Sequence, residues 1–289
     1  MNKKYLKILS CPYDKDTCLE PVEDKIKDSE ISEGVLFCSC CGRVFPVIDK
    51  IPYLLPDDLI KTRKEVKAFF EKNRRFQKKI KYSFVDDNKA GWKEGERIWH
   101  PDFISGIITA LKRRNPPDEL QNYFKQATFS LDVGCGEHPK GDVNVDIYAP
   151  NNIPQNFVLA SAEYLPFKKN IFDLVYSSYV IEHCLNPAQF IKDQVRCSNN
   201  KVLIVGDNCE WVGDDWYRLS GNGRIFHDEH CYAWTVEYLG NLIRRMGYKG
   251  EVKALNLSPT YITMIFSKLG KIPRVGRFFY RDIMAVIER

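Results

Sequence analysis

The stretch LDVGCGEHPKGDVNVDIY, residues 131–148, constrains the fold more than any other part of this 289-residue chain. A hydrophobic strand runs into Gly134-Cys135-Gly136, and a second strand closes on Asp146 only ten residues beyond Gly136. Glycine opens backbone conformations denied to other residues, and in open α/β sheets the carboxyl ends of the strands are where ligands bind. Two strands so close leave room for little more than one helical turn between them.

After Phe129 the pattern alternates: strands SLDVG, DVNVDIY, FDLVYSS and KVLIVGD, helices NPAQFIKDQVRC and TVEYLGNLIRRMGY, and a last strand near DIMAVIER. The fold class expected is α/β, a doubly wound, Rossmann-like sheet over residues 129–289, with a small β-rich module ahead of it at 1–56. In the module, LKILSCP reads as a strand, followed by a polar acidic stretch to Gly34 and then VLFCSCCGRVFPVIDKIPYLLP. Residues 57–128 join the two. There Ile60, Val66, Phe69, Phe70, Phe76 and Ile80 recur at mostly helical spacing to about Val85, and ISGIITALKRR forms a helix stopped by Pro116 and Pro117.

Charge is uneven along these parts. Residues 1–56 carry 8 basic against 9 acidic side chains, 57–128 carry 17 against 11, and 129–289 carry 18 against 18, so the net +5 comes from the middle segment. No apolar run reaches the eighteen or so residues of a membrane span, and no signal-like core follows the N-terminus, so a cytoplasmic protein without membrane insertion is expected. Of ten cysteines five crowd into residues 11–41, which favours a metal over disulfides.

A dinucleotide fingerprint needs a third glycine and a helix N-terminus facing the pyrophosphate, and here that third position is Pro139. Gly-x-Gly flanked by Asp132 and answered by Asp146 suits an adenosine carrying an amino-acid tail, which is S-adenosylmethionine. LDVGCG, VNVDIY, ASAEYLPFKKNIFDLVYSSYVIEHCLNP and HDEHCYAWTVEYLGNLIRRMGY together resemble the class I S-adenosylmethionine-dependent methyltransferases. The resemblance implies that Asp132, Gly134 and Gly136 line the methionine end, Asp146 holds the ribose, Ala162 and Glu163 lie beside the adenine, and Ser177 to Tyr179 stand near the reactive methyl. It departs at Ser161, where the family usually has Asp reading the adenine amino group. His183, His227, His230 and Tyr179 are the candidate bases.

The run from Cys38 to Pro56 resembles the zinc-ribbon family that includes the activator subunit of tRNA, rRNA and release-factor methyltransferases. The resemblance implies a structural zinc on two Cys-x-x-Cys knuckles. Cys38 and Cys41 form the second; in the first, Cys11 is followed by Asp14 where a cysteine belongs, with Cys18 or Cys40, or a degenerate site without metal, as alternatives. It also implies a surface for a protein partner on the module.

A methyltransferase acting on an O or N acceptor is therefore expected, with a small metabolite or glycan favoured. The alternatives are RNA, since residues 61–81 hold ten Lys or Arg against two acids and an rRNA guanine methyltransferase family shares this domain order, and a non-catalytic cofactor-binding scaffold.

Overall fold

A computed structural model describes residues 3–27, 30–85, 118–210, 230–255 and 280–289. The described strands are β1 (Leu19–Lys27), β2 (Glu30–Cys38), β3 (Val44–Ile48), β4 (Ile51–Leu54), β5 (Ser130–Val133), β6 (Val143–Asp146), β7 (Phe157–Ala160), β8 (Phe172–Ser178), β9 (Ser198–Asp207), β10 (Lys249–Leu255) and β11 (Asp282–Glu288). They form one sheet in the order β1-β2-β3-β4-β7-β6-β5-β8-β9-β11-β10. From β7 to β10 this is a Rossmann-like sheet, parallel except for β11, which runs antiparallel to both β9 and β10.

The N-terminal module continues that sheet. β1 to β4 are antiparallel, and β3 and β4 are joined by a two-residue turn in which Asp49 and Lys50 have φ of 48° and 69°, the left-handed pair whose twist suits a hairpin. β4, buried along its length, then pairs in parallel with β7, Tyr53 opposite Leu159 and Leu54 opposite Ala160. One free edge of the described sheet is thus β1 and the other β10.

Four helices matter to the site. α1 (Asp57–Ile60), α2 (Lys64–Lys72) and α3 (Arg74–Gln77) follow β4 directly, and α4 (Asp118–Gln126) precedes β5. Because β5 and β6 have no helix between them, one sheet face near the glycine turn is left uncovered by its own connection. Val66, Phe69, Phe70 and Phe76 of α2 and α3 fill it, packing with Tyr53, Cys135, Phe157 and Leu159. The apolar residues of the basic segment therefore face inward, and its Lys and Arg decorate the outer side. The opposite face carries the larger core, built from β5, β6, β8, β9 and β11 with α5 (Pro187–Cys197) and α6 (Val236–Arg245). Each of these two helices begins with a side-chain cap: Asn186 accepts from Gln189 N–H and Thr235 from Tyr238 N–H.

Several expectations change. In LKILSCP only Leu6 and Lys7 lie in a short 3-10 helix (Lys3–Lys7), and an isolated bridge joins Leu9 to Phe167, because this segment packs beneath the larger sheet and pairs with a loop. The acidic stretch before Gly34 is the β1–β2 hairpin, whose ladder tolerates charge because β1 is an edge. The helical pattern around Ile80 ends at Gln77. β7 and β10 stand where no strand was expected: FVLA is too short to show a period, and β10 is polar because it is the other edge. The expected helix at ISGIITALKRR lies outside the described residues. No described helix is long and apolar enough to cross a membrane.

Candidate functional site

The end of β5 and the end of β6 are clamped by the glycine turn. Gly134 and Gly136 have φ of 71° and 52°, the left-handed region that side chains disfavour. This lets the N–H groups of Gly134 and Cys135 both donate to the Val145 carbonyl, at 2.7 and 3.1 Å. Asp146 is fixed through both carboxylate oxygens: Gly136 N–H donates to Oδ2 at 2.9 Å and Tyr148 N–H to Oδ1 at 3.0 Å. Nothing lies within 4 Å of where a Cβ on Gly136 would stand, so the turn opens onto space beside that carboxylate. Asp132 sits on the same side, 2% exposed, accepting from Lys140 N–H at 2.9 Å. Burial pushes its carboxyl up to about 6, assisted by the charge of Asp146 and opposed by Lys140.

A third glycine, absent from the sequence reasoning, is sterically required. A Cβ on Gly141 would come within 2.6 Å of Asp132 N and 2.5 Å of the Val143 carbonyl. Gly141 and Asn144 also exchange hydrogen bonds, Gly141 N–H to Asn144 Oδ1 at 3.1 Å and Asn144 Nδ2 to the Gly141 carbonyl at 2.9 Å. The lone Gly before DVNVD was the available signal.

Ser161, Ala162 and Glu163 form the turn after β7. Ser161 is buried and its hydroxyl accepts from Glu163 N–H at 3.3 Å, while a Glu163 carboxylate oxygen accepts from Asn186 N–H at the start of α5. Ser177, at the end of β8, is fully buried, with no partner for its hydroxyl among the described residues.

The candidate bases separate. His183 and His230 come together, their rings 4.7 Å apart in a T-shaped contact, because Cys231 N–H donates to the Glu182 carbonyl at 2.7 Å and docks that loop. Tyr179 differs. Its φ is 56°, its ring is partly exposed, and its hydroxyl donates to buried Asp282 at 2.6 Å. Burial first, and then the Asp282 charge, hold its pKa well above the usual phenol value, which opposes a role as base. His227 lies outside the described residues. Glu182 is 2% exposed; its Oε1 accepts from Asp207 N–H at 2.7 Å and its Oε2 has no partner among the described residues. Burial, with the charges of Asp207 and Asp282 behind it, pushes its carboxyl up to about 7. Asp282 could not have been foreseen: register alone brings it opposite Asp207.

In the module, Cys11, Cys38 and Cys41 place their sulfurs within 4.8 Å of one another, Cys11 and Cys41 at 3.6 Å. Three converging thiols fit three of the four positions a structural zinc takes. Asp14 is not among them: hydrogen bonds from Cys40 and Thr17 hold its carboxyl below the usual range. Cys18 and Cys40 are exposed and outside the cluster.

A methyltransferase-domain family model matches residues 143–205, and a Trm112p-like protein model matches residues 2–49. The chain carries a methyltransferase domain behind a Trm112p-like domain. No curated protein matches it significantly. Among solved structures it is similar to an S-adenosylmethionine-dependent methyltransferase of Thermotoga maritima (17% identity, 59% of this chain and 87% of that one, TM-score 0.42) and one of Archaeoglobus fulgidus (16%, 64% and 94%, 0.42). It is also similar to a chain of the complex between the Haloferax volcanii Trm112 methyltransferase activator and a methyltransferase (11%, 58% and 87%, 0.40). The methyltransferase match spans β6 to β9 and so includes Asp146, Ser161 to Glu163, Ser177 and Glu182. The Trm112p-like domain holds the cysteine cluster, and β4, just beyond its match, joins it to the methyltransferase sheet.

Proposed function

We propose that the enzyme transfers a methyl group from S-adenosylmethionine to an oxygen or nitrogen of a small metabolite or glycan. The observation that carries the acceptor class is acidic: Glu182, Asp207 and Asp282 stand together at the carboxyl ends of β8 and β9 and the start of β11. That is where an acceptor must approach in a sheet of this kind. Glu182 and Asp282 are buried and the Glu182 carboxyl is pushed up to about 7, so the acid an acceptor meets is the part-exposed Asp207, which disfavours a phosphate backbone.

The basic segment supports the same reading. Arg63 donates to the Ile147 carbonyl at 2.7 Å, Lys72 pairs with Glu33, Lys79 lies over Phe37, and Lys81 donates to the Cys41 carbonyl at 2.6 Å. These cations hold the protein's own elements together.

Asp146 is assigned to both ribose hydroxyls, since its backbone bonds fix its orientation and leave lone pairs free. Gly134 and Gly136 let the chain approach the methionine tail, with Asp132 facing its ammonium. Ser161, Ala162 and Glu163 flank the adenine. Bound there, the cofactor supplies an electrophilic methyl on a sulfonium. Ser177 is assigned to the acceptor end, and His183 with His230 is assigned the proton of the nucleophile. The cysteine cluster is assigned a structural zinc.

The test has two arms. Radiolabelled methyl transfer into metabolite and glycan extracts should exceed transfer into RNA. RNA affinity measured from about 50 to 200 mM salt should be weak and indifferent to changing Arg74, Arg75, Lys78 and Lys79 to Ala. Tight, salt-steep RNA binding abolished by those four substitutions would make RNA the acceptor.

A further inference from the structure

Besides the β4–β7 ladder just beyond the Trm112p-like match, the two matched regions touch each other directly. The chain leading into the cysteine knuckle runs along residues 166–168: Ser10 N–H donates to the Pro166 carbonyl and Lys168 N–H to the Ile8 carbonyl, each at 2.9 Å. Lys15, on the knuckle after Cys11, reaches further. Its Nζ meets Asp193 Oδ2 of α5 at 2.6 Å and the Leu165 carbonyl at 3.4 Å, and lies 5.5 Å from the centre of the Tyr164 ring.

Asp193 is buried, and the same Oδ2 accepts from Leu165 N–H at 2.8 Å. Arg196 supports the arrangement from α5, donating to the carbonyls of Leu165 and Phe167 and bonding Asp193 Oδ1 at 3.3 Å. Leu165 is therefore gripped at its N–H and its carbonyl by one ion pair whose cation comes from the N-terminal domain and whose anion comes from the methyltransferase domain. A buried ion pair is a poor source of stability, since desolvation offsets attraction, but it fixes geometry. What it fixes is the segment that begins at Ser161.

We propose that Lys15 is a positioning residue for the cofactor: through Asp193 and Leu165 it holds the Ser161–Glu163 turn in place and so tightens S-adenosylmethionine binding. This rests on the reading that Ser161 to Glu163 flank the adenine. Without the ammonium, the Asp193 carboxylate is drawn to Arg196 and releases the Leu165 N–H, and the turn must be ordered by the ligand itself. Binding then bears that ordering cost.

Lys15→Met, Lys15→Arg and Asp193→Asn decide the matter, with S-adenosylhomocysteine as the probe in calorimetry on the full chain and the ligand-free thermal midpoint measured alongside. Lys15→Met is expected to bind about tenfold more weakly, which corresponds to about 1.4 kcal/mol. Lys15→Arg restores most of the affinity, because a guanidinium can still pair with Asp193. A purely structural pair would lower the midpoint and leave affinity alone, so wild-type affinity in folded Lys15→Met overturns the proposal. If Lys15→Met fails to fold, Asp193→Asn takes its place: weakened binding supports the proposal and unchanged binding overturns it. Failure of the wild-type chain itself to bind the probe removes the cofactor reading beneath it.

Discussion

Val180 lies directly over Gly134: a Cβ on the glycine would stand 2.2 Å from Val180 Cγ2. The same glycine has φ of 71°, so two separate penalties fall on any substitution there. Gly134→Ala should lose about 1–2 kcal/mol from the left-handed backbone and more from the clash. Adding Val180→Ala should recover only the clash. Urea unfolding of the single and double variants separates the two, and full recovery in the double variant would show that the backbone conformation is not strained.

Gly141 faces backbone on two sides, Asp132 N and the Val143 carbonyl, neither of which can rotate away. Gly141→Ala should therefore destabilise by roughly 2–4 kcal/mol, in the upper range for single substitutions. Equal urea midpoints for variant and wild type would rule out the close approach.

The cysteine cluster makes a compositional prediction. Protein purified without chelators should hold close to one zinc per chain, and Cys38→Ser should release it while the methyltransferase domain keeps its fold. Elemental analysis decides; a metal-free protein whose N-terminal domain remains ordered would mean the three thiols are packing groups.

Glu182 gives a pH dependence of definite sign. Its carboxyl is raised by burial from an ordinary 4.5 to about 7, so between those values the folded state holds more protons than the unfolded state. Stability must then fall as pH rises through that window and level off above about 7. Asp132, raised to about 6, acts in the same direction. Glu182→Gln should flatten the profile and be the more stable protein at pH 8, by on the order of 2 kcal/mol. Parallel pH profiles for the two proteins would show that Glu182 is ionised without penalty.

Much of this arrangement was legible in the chain. Gly134, Gly136 and Asp146 stood out by their combined spacing at neighbouring strand ends, and the structure brings Gly136 and Asp146 within hydrogen-bond reach. The amphipathic segment from Ile60 to Phe76 was legible as helix, but what it covers was not, since the face it fills exists only because β5 and β6 lack a helix between them. Asp282 and Lys15 were not legible. Their roles depend on contacts with Tyr179 and Asp193 that register and domain docking create, and local pattern carries no trace of partners 103 or 178 residues away. The continuity of the sheet through β4 and β7 was hidden for the same reason, as a four-residue apolar run such as FVLA does not reveal its neighbours.

Asp146, held by Gly136 and Tyr148, is assigned to the ribose of S-adenosylmethionine. Charge-assisted hydrogen bonds contribute about 1.5–3 kcal/mol each, so Asp146→Ala should weaken S-adenosylhomocysteine binding tenfold or more. Calorimetric titration of the folded variant against the wild-type protein is the direct measurement. A drop of that size is expected, and wild-type affinity in the folded variant would remove Asp146 from the cofactor site.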